Sequence, residues 1–65
     1  MRVVQDYLIA GNLKLLRLDG ELPMSNYTAY LIGGKRYDIV PVYDAPNCIA
    51  VKSTENFVGQ TVEFV

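Results

Sequence analysis

The residues able to do chemistry in this chain are few and scattered. It has no His and one cysteine, Cys48, and its carboxylates are Asp6, Asp19, Glu21, Asp38, Asp44, Glu55 and Glu63. Without His the commonest general base is missing, and Ser–His or Cys–His nucleophile pairs are excluded. A structural zinc site would need several Cys or His ligands. Asp19 and Asp44 read as turn residues, and Glu55 as an acid in the first turn of a short capped segment. Asp38 and Glu63 are the one pair that could share a site, and solvated strand faces explain them better. Cys48 opens an apolar run and reads as a small apolar residue. Gly33-Gly34 is flanked by neither a GxGxxG nor a GxxxxGK pattern, so it reads as a turn, not as a phosphate cradle. The expectation is a chain without catalysis, cofactor or metal.

The chemistry left is recognition. Tyr30, Ile32, Tyr37, Ile39 and Tyr43 fall on one face of a sheet if the residues around Gly33-Gly34 form a hairpin. Tyrosine is enriched at interfaces, so this face is the candidate partner-binding surface. Burial of the same face beneath the N-terminal hairpin is the competing expectation. A second class is single-stranded nucleic acid, because Lys35 and Arg36 sit between Tyr30 and Tyr37 at a hairpin tip. Six basic against seven acidic residues leave a net charge of −1, which gives no general attraction to phosphate.

These residues must be positioned by strands. VVQDYLIA and LKLLRL flank Gly11-Asn12, a pair suited to a type II′ turn. A two-residue loop there sets Ala10 opposite Leu13, Leu8 opposite Leu15 and Asp6 opposite Arg17. The hairpin is apolar on both faces and is expected to be covered on both. Asp19-Gly20 signals a further turn, and residues from Glu21 to Asn26 read as an irregular loop. Around Gly33-Gly34 the register predicts Ile32 opposite Lys35, Leu31 opposite Arg36, Tyr30 opposite Tyr37 and Ala29 opposite Asp38. A four-residue Asp44–Asn47 turn extends this to a three-stranded meander, with Val42 opposite Ile49 and Val40 opposite Val51. Ala29, Leu31, Val40, Val42, Ile49 and Val51 then form the aliphatic core face. Ser53 to Gly59 reads as one capped turn, helical or 3-10, before a final strand bearing Val62 and Phe64.

The expected fold is all-β, five to six short antiparallel strands with a short 3-10 turn before the last. The layout of residues 27–65 resembles an SH3-like barrel. The ALYDY-like motif and groove tryptophan of SH3 domains are absent, so proline-rich peptide binding is not implied. An OB-like barrel is the alternative.

Sixty-five residues, 51% of them hydrophobic, fit one domain spanning 1–65 with marginal stability. With no disulfide and no metal, self-association, in the first instance as a homodimer, is the expected route to extra stability. A lone cysteine fits a reducing cytoplasmic setting. No stretch approaches the roughly 20 apolar residues of a spanning helix, and no signal-peptide core follows the start, so no membrane is expected. Asn26-Tyr27-Thr28 matches a glycosylation sequon that is not expected to be used. The sequence thus points to a non-enzymatic protein-interaction module, accessory or regulatory in role.

Overall fold

The computed structural model describes residues 1–23 and 26–65. Six strands follow in order: β1 (Val3–Ala10), β2 (Leu13–Leu18), β3 (Ala29–Ile32), β4 (Lys35–Asp38), β5 (Cys48–Lys52) and β6 (Val62–Phe64). They form two antiparallel three-stranded sheets, ordered β1-β2-β5 and β4-β3-β6. Single-pair bridges link the sheets at two places, Arg2 with Thr61 and Val40 with Ala50. No closed barrel and no helix is found among the described residues. The expected Glu21–Asn26 loop includes residues 24 and 25, which lie outside the described residues.

Both glycine turns reverse the chain as their chemistry demands. Gly11 takes φ +44° at the first position of its loop, while Gly33 and Gly34 take +60° and +81°. Two successive positive φ values are the requirement of a type I′ turn, which matches the twist of the strands it joins. The β3–β4 register is the one expected, with Tyr30 facing Tyr37 and Leu31 facing Arg36. A Cβ added at Gly33 would meet Gln60 Oε1 at 2.5 Å, whereas one at Gly34 meets nothing within 4 Å. Gln60 is not free to swing aside at no cost, because its Nε2 donates to the Asn56 carbonyl at 2.8 Å. Gly33→Ala is therefore expected to cost about 2 kcal/mol and Gly34→Ala about 1, the left-handed backbone being common to both. Equal losses in parallel denaturant titrations would contradict the close approach at Gly33.

In the first hairpin the register departs from expectation. Ala10 faces Leu13, but Ile9 bulges, and a second irregularity lies between Val3 and Gln5. Gln5 to Leu8 are displaced by one, and Val3, beyond the second irregularity, by two. Gln5 faces Arg17, Asp6 faces Leu16, and Tyr7, not Leu8, faces Leu15. The expected Asp6–Arg17 cross-strand pair is absent for that reason.

The meander is also corrected. β4 ends at Asp38, Val40 makes one bridge to Ala50, and β5 pairs along its whole length with β2. Pro41 has no N–H to give a ladder, and Asp44 and Asn47 both adopt left-handed φ, 60° and 62°. The chain from 41 to 47 thus crosses between sheets, and the Asn47 carbonyl accepts a hydrogen bond from Leu18 N–H at 2.8 Å. Cys48, Ile49, Ala50 and Val51 are all buried, the pattern of a strand covered on both faces.

The core lies between the sheets. Val3, Leu16, Leu18, Ile49 and Val51 come from the first sheet, Tyr30, Ile32 and Val62 from the second. Phe57, from the β5–β6 connection, fills the space between them. In β3 the expectation that the tyrosine face is covered within the molecule holds for Tyr30 and Ile32, which are buried, whereas Leu31, expected in the aliphatic core, is half-exposed beside Arg36 and Glu63. Ala29, Ile49 and Val51 are core as expected, whereas Val40 and Val42 are only half-buried.

The expected 3-10 turn is replaced by three smaller devices. Ser53 Oγ accepts from Glu55 N–H at 3.0 Å, and Asn56 Oδ1 accepts from Val58 N–H at 3.2 Å. Gln60 N–H then donates to the Phe57 carbonyl at 3.0 Å across a turn in which Gly59 takes φ +87°. Positive φ at the third residue of a four-residue turn is the signature of type II.

Candidate interaction surface

β1 is the longest strand and forms an edge of its sheet, hydrogen-bonded on one side to β2. Its start is covered. Val3 N–H donates to the Gln60 carbonyl at 2.9 Å, and the Val3 carbonyl accepts from Gly59 N–H at 2.8 Å. From Val4 to Ala10 no further backbone partner lies on the outward side among the described residues. An unpaired strand edge is a template for another extended chain. Side chains along this edge are apolar and exposed: Val4, Tyr7, Leu8 at 60% and Ile9 at 52%. On the same face as Tyr7 lies the half-buried Leu15, its cross-strand partner. Tyr7 OH donates to Gln5 Oε1 at 2.6 Å, which fixes the ring against the strand.

Asp6, the one charge in β1, is turned to the other face and held. Its Oδ2 accepts from Phe57 N–H at 2.8 Å and from Lys14 Nζ at 3.2 Å. Lys14 Nζ also donates to the Glu55 carbonyl at 2.6 Å. Glu55 in turn accepts from Lys35 Nζ at 3.0 Å and from Tyr37 OH at 2.9 Å. The cluster fastens the β5–β6 connection to both sheets and so keeps Phe57 in place. The Phe57 N–H, with help from Lys14, holds the Asp6 carboxyl below its ordinary range. Lys35 and then Tyr37 do the same for Glu55.

A carboxyl depressed in the folded state stabilises fully above its unfolded value of about 3.9 and loses that contribution as pH falls through the folded value. Asp6→Asn is expected to lower the melting temperature at pH 7 and to narrow its gap to wild type below about pH 4. A gap of the same size at pH 7 and pH 3 would show that Asp6 is not held as described.

The residues expected from sequence to form one surface are dispersed. Tyr30 and Ile32 are core, at 3% and 1% exposure, so they present no surface to a partner. Tyr37 and Ile39 are half-buried against that core. Tyr37 lies edge-on to Phe57, ring centroids 5.5 Å apart. Burial, then Glu55, raises the Tyr37 phenol above its usual range, and burial does the same for Tyr30. Tyr43 stands apart in the β4–β5 connection, 83% exposed. Lys35 is engaged by Glu55, and Arg36 Nη2 reaches Thr28 Oγ1 at 3.5 Å. Successive strand residues point to opposite faces, so Lys35 and Arg36 do not form one basic patch.

A shallow depression of about 210 Å³ lies on the second sheet, lined by Leu31, Gly33, Gly34, Thr61 and Glu63. Its one ionisable lining group is Glu63, and no convergent polar set accompanies it. No group of three or more His, Cys, Asp or Glu that could hold a metal occurs among the described residues. No helix among them is long and apolar enough to cross a membrane. No family model, curated protein or solved structure matches the chain.

Proposed function

We propose that this chain is a non-enzymatic interaction module, accessory or regulatory to its partner, that binds by adding an extended strand to the open edge of β1. The observation that carries this reading is the combination of free backbone and exposed apolar side chains on one strand, from Val4 to Ile9. Main-chain hydrogen bonds would supply affinity, and side chains on the two faces of the strand, Tyr7 on one and Leu8 on the other, would supply selectivity. The buried free thiol of Cys48 supports a reducing, cytoplasmic setting. Single-stranded nucleic acid has less support, because Tyr30 is in the core and Lys35 is already paired.

Affinity capture from a soluble extract tests the reading, with wild type and Leu8→Lys compared side by side. A lysine on the edge interferes with strand addition while leaving the core untouched. Proteins retained by wild type and lost by the variant are expected. The same set retained by both would contradict binding at β1. A salt-sensitive complex with single-stranded RNA or DNA, formed equally by both, would favour the nucleic-acid class instead.

A further inference from the structure

We propose that the strand received by β1 is β1 of a second copy of this chain, antiparallel to it, about a two-fold axis at Tyr7. This inference rests on the strand-addition reading and names the occupant. Only an extended backbone satisfies the outward N–H and C=O groups of β1, and the side chains beside them select which one. The edge carries no Pro and no Lys, the usual guards against self-pairing. Its single charge, Asp6, is neutralised within the chain by Lys14 at 3.2 Å, so two such strands approach without net repulsion.

Symmetry then fixes the register. A two-fold axis normal to the sheet keeps each face on its own side, and directly opposed residues share a face. The axis must therefore pass at a residue, with that residue opposite itself. Asp6 on the axis would set like charges against each other. Leu8 on the axis would draw the Ile9 bulge into the ladder. Tyr7 on the axis sets Asp6 against the partner subunit's Leu8 and keeps the pairs within the regular Asp6–Leu8 stretch. It also brings Tyr7 against the partner's Tyr7, on the face where Leu15 offers apolar support.

The bulge at Ile9 and the irregularity at Val4 stop the pairing at both ends. The other edges are shorter: β4 and β6 have four and three residues, and β5, with five, is already bridged at Ala50 by Val40. Once two copies have paired, the one long edge is used up, so the assembly closes at two. A strand pair of this length is expected to bury less than the ~800 Å² per partner of a standard complex, so a weak, concentration-dependent dimer is expected.

The test uses the full chain carrying Tyr7→Cys, with Tyr43→Cys as a control away from β1 that is the more exposed of the two, 83% against 46%. Cys48 is buried, so each variant presents one accessible thiol. A residue opposed to itself on neighbouring strands lies within the 4.4–6.8 Å Cα separation that a disulfide spans. Under mild oxidation Tyr7→Cys is expected to link into dimers at least tenfold faster than Tyr43→Cys. Sedimentation equilibrium of wild type is expected to show monomer and dimer, with Leu8→Lys weakening dimerisation at least tenfold and leaving the melt unchanged in dilute solution, where both chains are monomeric. Equal cross-linking rates, or dimerisation unchanged by Leu8→Lys, would overturn the proposal, as would assemblies larger than a dimer. If the chain is monomeric yet Leu8→Lys still loses a captured protein, self-pairing falls and strand addition stands with a foreign strand. If neither effect is seen, both fall.

Discussion

Leu16→Asp is expected to abolish folding. Leu16 is fully buried in the middle of β2, facing Asp6 on one neighbouring strand and Ile49 on the other. The substitution removes the side chain at the centre of the core and sets a second carboxylate beside the one already there. Burying an uncompensated charge costs several kcal/mol, against a total of about 5–15 for a folded domain and the low end of that range for a chain this small. Far-ultraviolet circular dichroism at 25 °C should show no cooperative thermal transition. Arg17→Gln, one residue along and exposed, should melt within a few degrees of wild type. A cooperative melt for Leu16→Asp close to wild type would mean that the two sheets do not pack on the face described.

Phe57→Ala has the second-largest expected effect. Phe57 belongs to no strand, yet it is 1% exposed and lies against Tyr37 and the core of both sheets. Truncating a buried phenylalanine typically costs about 3–5 kcal/mol, through lost transfer energy and the cavity left behind. Here the β5–β6 connection is also tied down by Asp6 and Lys14, so it cannot collapse freely into the space. Chemical denaturation should give a loss in that range with an unchanged denaturant slope. A loss below about 1 kcal/mol would place Phe57 outside the core.

The parts of this fold that were legible in the sequence are those decided by a few adjacent residues. Gly33-Gly34 needs positive φ at two successive positions, and it set the β3–β4 register without error. Gly11-Asn12 gave the turn and its closing pair, but nothing in the composition of β1 announces a bulge at Ile9. That one extra residue undid the expected Asp6–Arg17 pair and sent Asp6 to Lys14 and Phe57 instead. The choice of partner for β5 is a long-range matter. Val40 to Tyr43 and Cys48 to Val51 look like two sides of a hairpin, yet Pro41 breaks the ladder and β5 goes to β2. With β5 in the first sheet, the face carrying Tyr30 and Ile32 becomes the one that meets it, and those residues become core.

The same long-range choice hid the candidate site. VVQDYLIA is apolar on both faces, which argues for cover on both sides when every strand is assumed to have a place in the middle. Six short strands divided between two sheets leave four edges, and the longest strand occupies one of them. The signal was available in the absence of Pro or Lys from that strand, read as an unguarded edge.

Amide hydrogen exchange of β1, followed residue by residue as protein concentration is raised, tests the open edge most directly. In dilute solution the amides between Asp6 and Ile9 that point away from β2 should exchange at nearly unprotected rates, while those paired with β2 stay protected. Raising the concentration through the micromolar range should slow the outward set and leave the control amides of β3 unchanged. Outward amides already protected in dilute monomer would contradict β1 as an open edge, and outward amides exchanging equally fast at every concentration would contradict its pairing with a second copy.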